Sequence, residues 1–170
     1  STARLSDSLT FTAMLVYVKG EYDEFSIMDN VTVVTGDGSL ASQEVERDLS
    51  GTEFGSGPTY SFDFGFMHVL SLGDAGEMVS SLGATYTDAI SYTLSNTPSS
   101  QQPSYWLLDG RMSWMMANDK TSLSFWVNNL LDKNYVTNMI DQAGDIQSGG
   151  IDQGLGMAAS YWGEPRRYGL

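Results

Sequence analysis

Apolar and polar residues alternate with a period of two in several separate stretches of the chain, the signature of half-buried β-strands. The first runs over residues 9–22, with Leu9, Phe11, Ala13, Leu15 and Tyr17 on one face and Thr10, Thr12 and Met14 on the other. The clearest follows Pro58: Tyr60, Phe62, Phe64, Phe66 and His68 share one face, and Ser61, Asp63 and Gly65 take the other. A third spans about Met78 to Thr87, with Met78, Leu82, Ala84 and Tyr86 opposite Val79, Ser81, Gly83, Thr85 and Thr87. In the fourth, Trp106, Leu108, Gly110, Met112 and Trp114 oppose Asp109, Arg111 and Ser113. In the fifth, Leu123, Phe125 and Val127 oppose Ser122, Ser124, Trp126 and Asn128.

The connections between these strands alternate in length. Residues 25–57 make a long polar connection, 71–76 a tight turn, 88–104 a second long connection and 117–120 a short hairpin turn, before a long Gly- and Asp-rich insertion. Such a two-sided bias is the pattern of outer-membrane barrels, which have short periplasmic turns and long extracellular loops. The expected fold is therefore all-β: an antiparallel transmembrane β-barrel segment of about six strands, incomplete as a barrel. Aromatic residues near strand ends (Tyr60, Tyr86, Trp106, Trp114) would form interfacial girdles.

Composition narrows the classes. Only 17% of residues are charged, and no cysteine is present, so a disulfide framework or thiolate site is impossible. The longest uninterrupted apolar run, Ala13 to Val18, is far short of the ~20 residues of a membrane helix. A strand needs only about 9–11 residues to cross. The formal net charge of −13 argues against a nucleic-acid partner, whose phosphates it would repel.

After the fifth strand the chain reads Asn129-Leu130-Leu131-Asp132-Lys133-Asn134-Tyr135, and near its end Gly163-Glu164-Pro165-Arg166-Arg167-Tyr168-Gly169. An Asn-Leu-x-Asp-x-x-Tyr corner (Asn129, Leu130, Asp132, Tyr135) followed by Pro-Arg-x-Tyr-Gly (Pro165, Arg166, Tyr168, Gly169) resembles the C-terminal end of TonB-dependent outer-membrane receptors. In that family the first piece closes the penultimate barrel strand and the second opens the last. The resemblance implies that residues 1–170 are the C-terminal part of the barrel domain, without the plug domain and the end of the last strand. Such barrels close at about 22 strands around a plugged lumen. It further implies a receptor in the outer membrane of a Gram-negative bacterium, one that takes up a scarce nutrient such as an iron–siderophore complex. Its partners would be outer-membrane lipid, the rest of the same barrel and plug, and TonB through an absent N-terminal region. Neither a cofactor nor an enzymatic activity is expected.

The candidate functional residues are those on the polar faces: Asp63, Asp109, Arg111, Trp126 and Asn128 would line the lumen and contact the plug or a passing ligand. Ordinary ion pairing of Asp109 and Arg111 in a water-filled interior accounts for the same pattern. Single His68 has no metal-ligating partner at a workable spacing. The acidic stretch from Asp141 through Asp145 to Asp152 lacks EF-hand spacing and reads as a solvated loop. No Gly-x-Ser-x-Gly elbow or phosphate-binding glycine loop is present. Two alternatives remain at this level: a secreted acidic β-sandwich that binds glycan, and a small structural or adhesive outer-membrane barrel.

Overall fold

A computed structural model describes residues 1–53, 57–93, 100–118, 120–142, 151–152 and 157–170. Its principal element is one antiparallel sheet of seven strands. In spatial order these are β1 (Thr2–Arg4), β2 (Leu9–Tyr17), β5 (Tyr60–Ser71), β6 (Glu77–Thr87), β9 (Tyr105–Met115), β10 (Ser122–Asn128) and β14 (Arg167–Gly169). Every neighbour in that order is also the next in the chain once the long connections are set aside. This is an up-and-down meander.

The long connections carry strands of their own. Between β2 and β5 stands a hairpin of β3 (Ser26–Val34) and β4 (Leu40–Asp48), paired residue for residue. Between β6 and β9 lie β7 (Ile90–Ser91) and β8 (Gln101–Gln102). Between β10 and β14, β11 (Val136–Gln142) pairs with β13 (Met157–Trp162), and β12 (Ile151–Asp152) adds to the edge of β3. At the other end of the sheet the turns are short. A single 3-10 turn, Gly73–Ala75, joins β5 to β6.

Cross-strand register shows why the period-two pattern yields two chemically different faces. On the first, Phe11 lies opposite Phe66, Phe64 opposite Ala84, Tyr86 opposite Trp106, and Trp114 opposite Leu123. The rings form a continuous ladder across four strands: Tyr17 and Tyr60 are 5.0 Å apart, Phe62 and Tyr86 5.6 Å, and Tyr86 and Trp106 5.1 Å. On the second face, Thr12 lies opposite Gly65, Gly65 opposite Gly83, and Gly83 opposite Asp109. Cross-strand pairs of this kind are the stabilising unit of a sheet. Here they gather most of the aromatic rings on one face and most of the hydroxyls and carboxylates on the other.

Among the described residues the buried apolar side chains are Leu49 and Val136. No residue of β5 or β6 is buried on either face. A β-sandwich would bury the inner face of each sheet against the other, so a single uncovered layer is not that fold. The longest strands fit a membrane instead. At ~3.3 Å per residue an eleven-residue strand tilted by about 45° rises roughly 26 Å, close to the ~25 Å apolar band of an outer-membrane barrel.

Four sequence expectations are corrected. The first strand ends at Tyr17, not near residue 22, and β1 adds a strand where only a terminus was expected, so the sheet has seven strands and not six. The long connection at 25–57 is not featureless: β3 and β4 are nine residues each, closed by a turn in which Thr35 N–H donates to Ser39 O (2.8 Å) and Gly38 adopts φ 81°. The last strand opens at Arg167, with Pro165 and Arg166 still in the corner before it.

Candidate functional site

The polar face of the sheet brings the expected lumen residues onto one wall. Asp63 (β5), Asp109 and Arg111 (β9) and Trp126 and Asn128 (β10) all lie on it, with Arg111 directly opposite Trp126 and Asn128 opposite Arg167. Their hydrogen bonds divide them. Asp63 Oδ1 accepts from the Thr85 hydroxyl at 2.8 Å, and Arg111 Nε donates to Ser113 Oγ at 3.3 Å. Asp109 Oδ1 accepts the backbone N–H of Asn129 at 2.8 Å. Asp109 and Arg111 therefore serve different partners despite being two residues apart. Trp126 packs against the last strand, where a Cβ on Gly169 would lie 2.8–3.0 Å from its indole. Between Asp63 and Asp109 the wall is hollow, because Gly83 has open space above its Cα.

The corner residues form a second, structurally distinct group. Among the described residues, Asn129 and Asp132 are the non-glycine residues with positive φ, 50° and 53°. That conformation costs most side chains roughly 1–2 kcal/mol, whereas Asn and Asp tolerate it through local hydrogen bonds. Asn129 is 4% exposed and uses its whole amide: Oδ1 accepts Lys133 N–H (2.8 Å), while Nδ2 donates to Lys133 O (2.9 Å) and Glu164 O (3.0 Å). One side chain thus ties the end of β10 to the segment that starts β14.

Asp132 completes the tie. Its Oδ1 accepts Arg166 N–H at 3.1 Å, its Oδ2 lies 3.7 Å from the Arg166 guanidinium, and Arg166 also reaches Leu130 O. Both partners are about half exposed, so the charge pair itself contributes about 0–1 kcal/mol, and the backbone bond sets the geometry. Arg167 pairs with Glu164. Tyr135 stacks on Tyr105 with centroids 4.8 Å apart, and its other side abuts Gly163, where a Cβ would fall 2.0–2.4 Å from the ring. Asn129, Asp132, Tyr135, Arg166 and Gly169 therefore each have a defined contact in this corner or beside it. Leu130 contributes backbone, its N–H donating to Leu108 O at 2.7 Å, and Tyr168 projects from the aromatic face opposite Val127.

Sequence reasoning missed the residues that join the long connections to each other. Val136 meets Gln102 across 34 positions of chain and Tyr92 across 44, for which no local pattern exists. Burial pushes the Tyr92 hydroxyl above its ordinary value, with the nearby Tyr105 phenol adding to the shift. In the β3–β4 turn the Asp37 carboxylate is held well below the usual range, first by the Thr35 hydroxyl and then by Ser39. Among the described residues, no group of three or more His, Cys, Asp or Glu side chains converges to hold a metal. The acidic stretch singled out between Asp141 and Asp152 lies outside the described residues for positions 143–150, and nothing is placed there.

No family model matches the chain, and no curated protein matches it in sequence. Solved structures do match. The ferric yersiniabactin uptake receptor FyuA from Yersinia pestis superposes with a TM-score of 0.61 at 14% identity, over 97% of this chain and 20% of that one. The siderophore receptor PiuA from Acinetobacter baumannii superposes with a TM-score of 0.61 at 18% identity, over 98% of this chain and 19% of that one. The chain thus spans about a fifth of the length of these two structures. At these identities the likeness is one of fold. The chain has the fold of a partial, unclosed antiparallel β-barrel like that of siderophore receptors, and the resemblance to TonB-dependent receptors read from its corner motifs is borne out at the level of fold.

Proposed function

We propose that these 170 residues are part of the transmembrane barrel of a TonB-dependent receptor in a Gram-negative outer membrane, one that imports an iron–siderophore complex. The observation that carries this reading is the single-layer sheet with one aromatic and one polar face, uncovered on both sides. An aromatic face of that extent on a single layer needs an apolar solvent, and lipid is the solvent that a closed meander of such strands meets.

On this reading the ladder from Phe11 to Trp106 faces lipid, and Asp63, Asp109, Arg111, Trp126 and Asn128 face a lumen shared with a plug. Hydroxyls and carboxylates on that wall, and the hollow over Gly83, offer hydrogen-bond partners to a plug loop or a passing ligand. The β3–β4 and β11–β13 hairpins project outside the cell. Energy from TonB would enter through another part of the receptor. The wall supplies positioning and not chemistry, which suits a receptor and not an enzyme.

The test is made in the native bacterium. Deleting the reading frame that encodes this stretch should abolish uptake of radiolabelled iron from at least one ferric siderophore, with restoration by the intact gene. The protein should sediment with outer membranes and require detergent for release. Recovery of the protein as soluble periplasmic material, or unchanged uptake across a siderophore panel, contradicts the proposal.

A further inference from the structure

The second and third long connections, residues 88–104 and 129–166, are joined at their roots by the backbone of one residue. Val136 N–H donates to Gln102 Oε1 at 2.8 Å, and Val136 O accepts from the Tyr92 hydroxyl at 2.6 Å. Both polar groups of one residue are therefore held by side chains from the other connection. Gln102 is itself fixed, since Nε2 donates to Pro103 O at 2.7 Å. Tyr92 N–H donates to Ser100 O at 2.9 Å, closing the base of its own loop.

The joint is dry. Val136 is 5% exposed, Gln102 6% and Ser100 0%, in a chain whose other described residues are almost all open to solvent. Without water to compete, buried hydrogen bonds hold more firmly and are missed more when lost. Below the joint, Tyr105 and Tyr135 stack, Gly163 N–H donates to Tyr135 O at 2.8 Å, and Gly163 seats the Tyr135 ring. The contact is thus continued from β9 through the stack to the segment that follows β13. Val136 is also the first residue of β11, so whatever holds it sets the angle of the whole β11–β13 hairpin.

We propose that Tyr92 and Gln102 are positioning residues that clasp Val136, so that the connection between β6 and β9 and the β11–β13 hairpin form one mechanical unit above the barrel wall. The proposal rests on the receptor reading only for which side of the membrane the unit occupies; the clasp itself follows from the fold.

Hydrogen exchange by mass spectrometry on the intact receptor in detergent, without ligand, tests it separately from transport. The variant is Tyr92→Phe combined with Gln102→Met, which keeps ring and side-chain volume and removes both bonds to Val136. Amides of Val136–Ile140 and Ala159–Trp162 should exchange about tenfold faster or more, as expected for two lost hydrogen bonds. Amides of β5 and β6 should be unchanged. Unaltered protection in β11 and β13 overturns the proposal. So does an equal loss of protection in β5 and β6, which would reveal general destabilisation in place of a clasp.

Discussion

Replacing Asn129 separates the two physical reasons for an asparagine at the barrel corner. In Asn129→Gly the left-handed backbone is retained without strain, but the bonds to Lys133 N–H, Lys133 O and Glu164 O are lost. At about 1 kcal/mol each, and with water replacing part of the loss at the corner's outer side, the variant should be destabilised by roughly 2–3 kcal/mol. In Asn129→Ala the same bonds are lost and a Cβ is forced to φ 50°, which adds about 1 kcal/mol. Urea unfolding of the intact receptor in micelles, followed by tryptophan fluorescence, would order the three proteins as wild type, glycine, alanine. Trp126, packed on Gly169 beside the corner, is a natural reporter. Equal stability of the glycine and alanine variants would refute the backbone argument. A loss under about 0.5 kcal/mol in both would refute the hydrogen-bond argument.

Other consequences follow from the same geometry. Phe64→Arg should cost roughly 2–4 kcal/mol by placing a charge on the lipid side, whereas Asp63→Arg, one position along, should be much milder; equal damage would mean the faces are reversed. Gly76→Ala should impair assembly, because Gly76 has φ 103° and its Cβ would meet Met115 O at 2.0 Å; heat-modified mobility on gels reads this directly, and a wild-type band pattern contradicts it. The Asp37 carboxylate has a lowered folded-state pKa, so its support of the β3–β4 turn is present above the unfolded carboxylate range and is lost only as pH falls through the lower folded value. Exchange protection at Ser39 N–H should therefore persist at pH 4, and its loss at pH 5 would be inconsistent with the Thr35 and Ser39 bonds.

Much of the barrel wall was legible because a sheet with a different solvent on each face writes its register into the sequence. Phe62, Phe64 and Phe66 alternating with Ser61, Asp63 and Gly65 put the rings on one face and the small and polar residues on the other, and the structure has that division. The corner was legible for a different reason: Asn129 and Asp132 are among the few side chains that stabilise a left-handed turn, so their spacing survives as a motif. The β3–β4 hairpin was not read, because its strands are two-sided in water, and polar residues such as Gln43, Glu44 and Glu46 mimic a loop. β1 is three residues long, too short to show a period. The clasp on Val136 was invisible because Tyr92 and Gln102 meet it through tertiary contact alone. Ion pairing of Asp109 with Arg111 was a natural inference from spacing, but the nearby Asn129 N–H engages the carboxylate.

In the proposed receptor the strands cross a membrane with all the long connections on the outside and the short turns within. Epitope tags inserted after Gly38, at the tip of the β3–β4 hairpin, and separately after Asn118, in the turn between β9 and β10, measure it directly when unpermeabilised cells are stained. Labelling is expected for the tag after Gly38 and none for the tag after Asn118 until the outer membrane is opened. Labelling after Asn118 on intact cells, with none after Gly38, would contradict it.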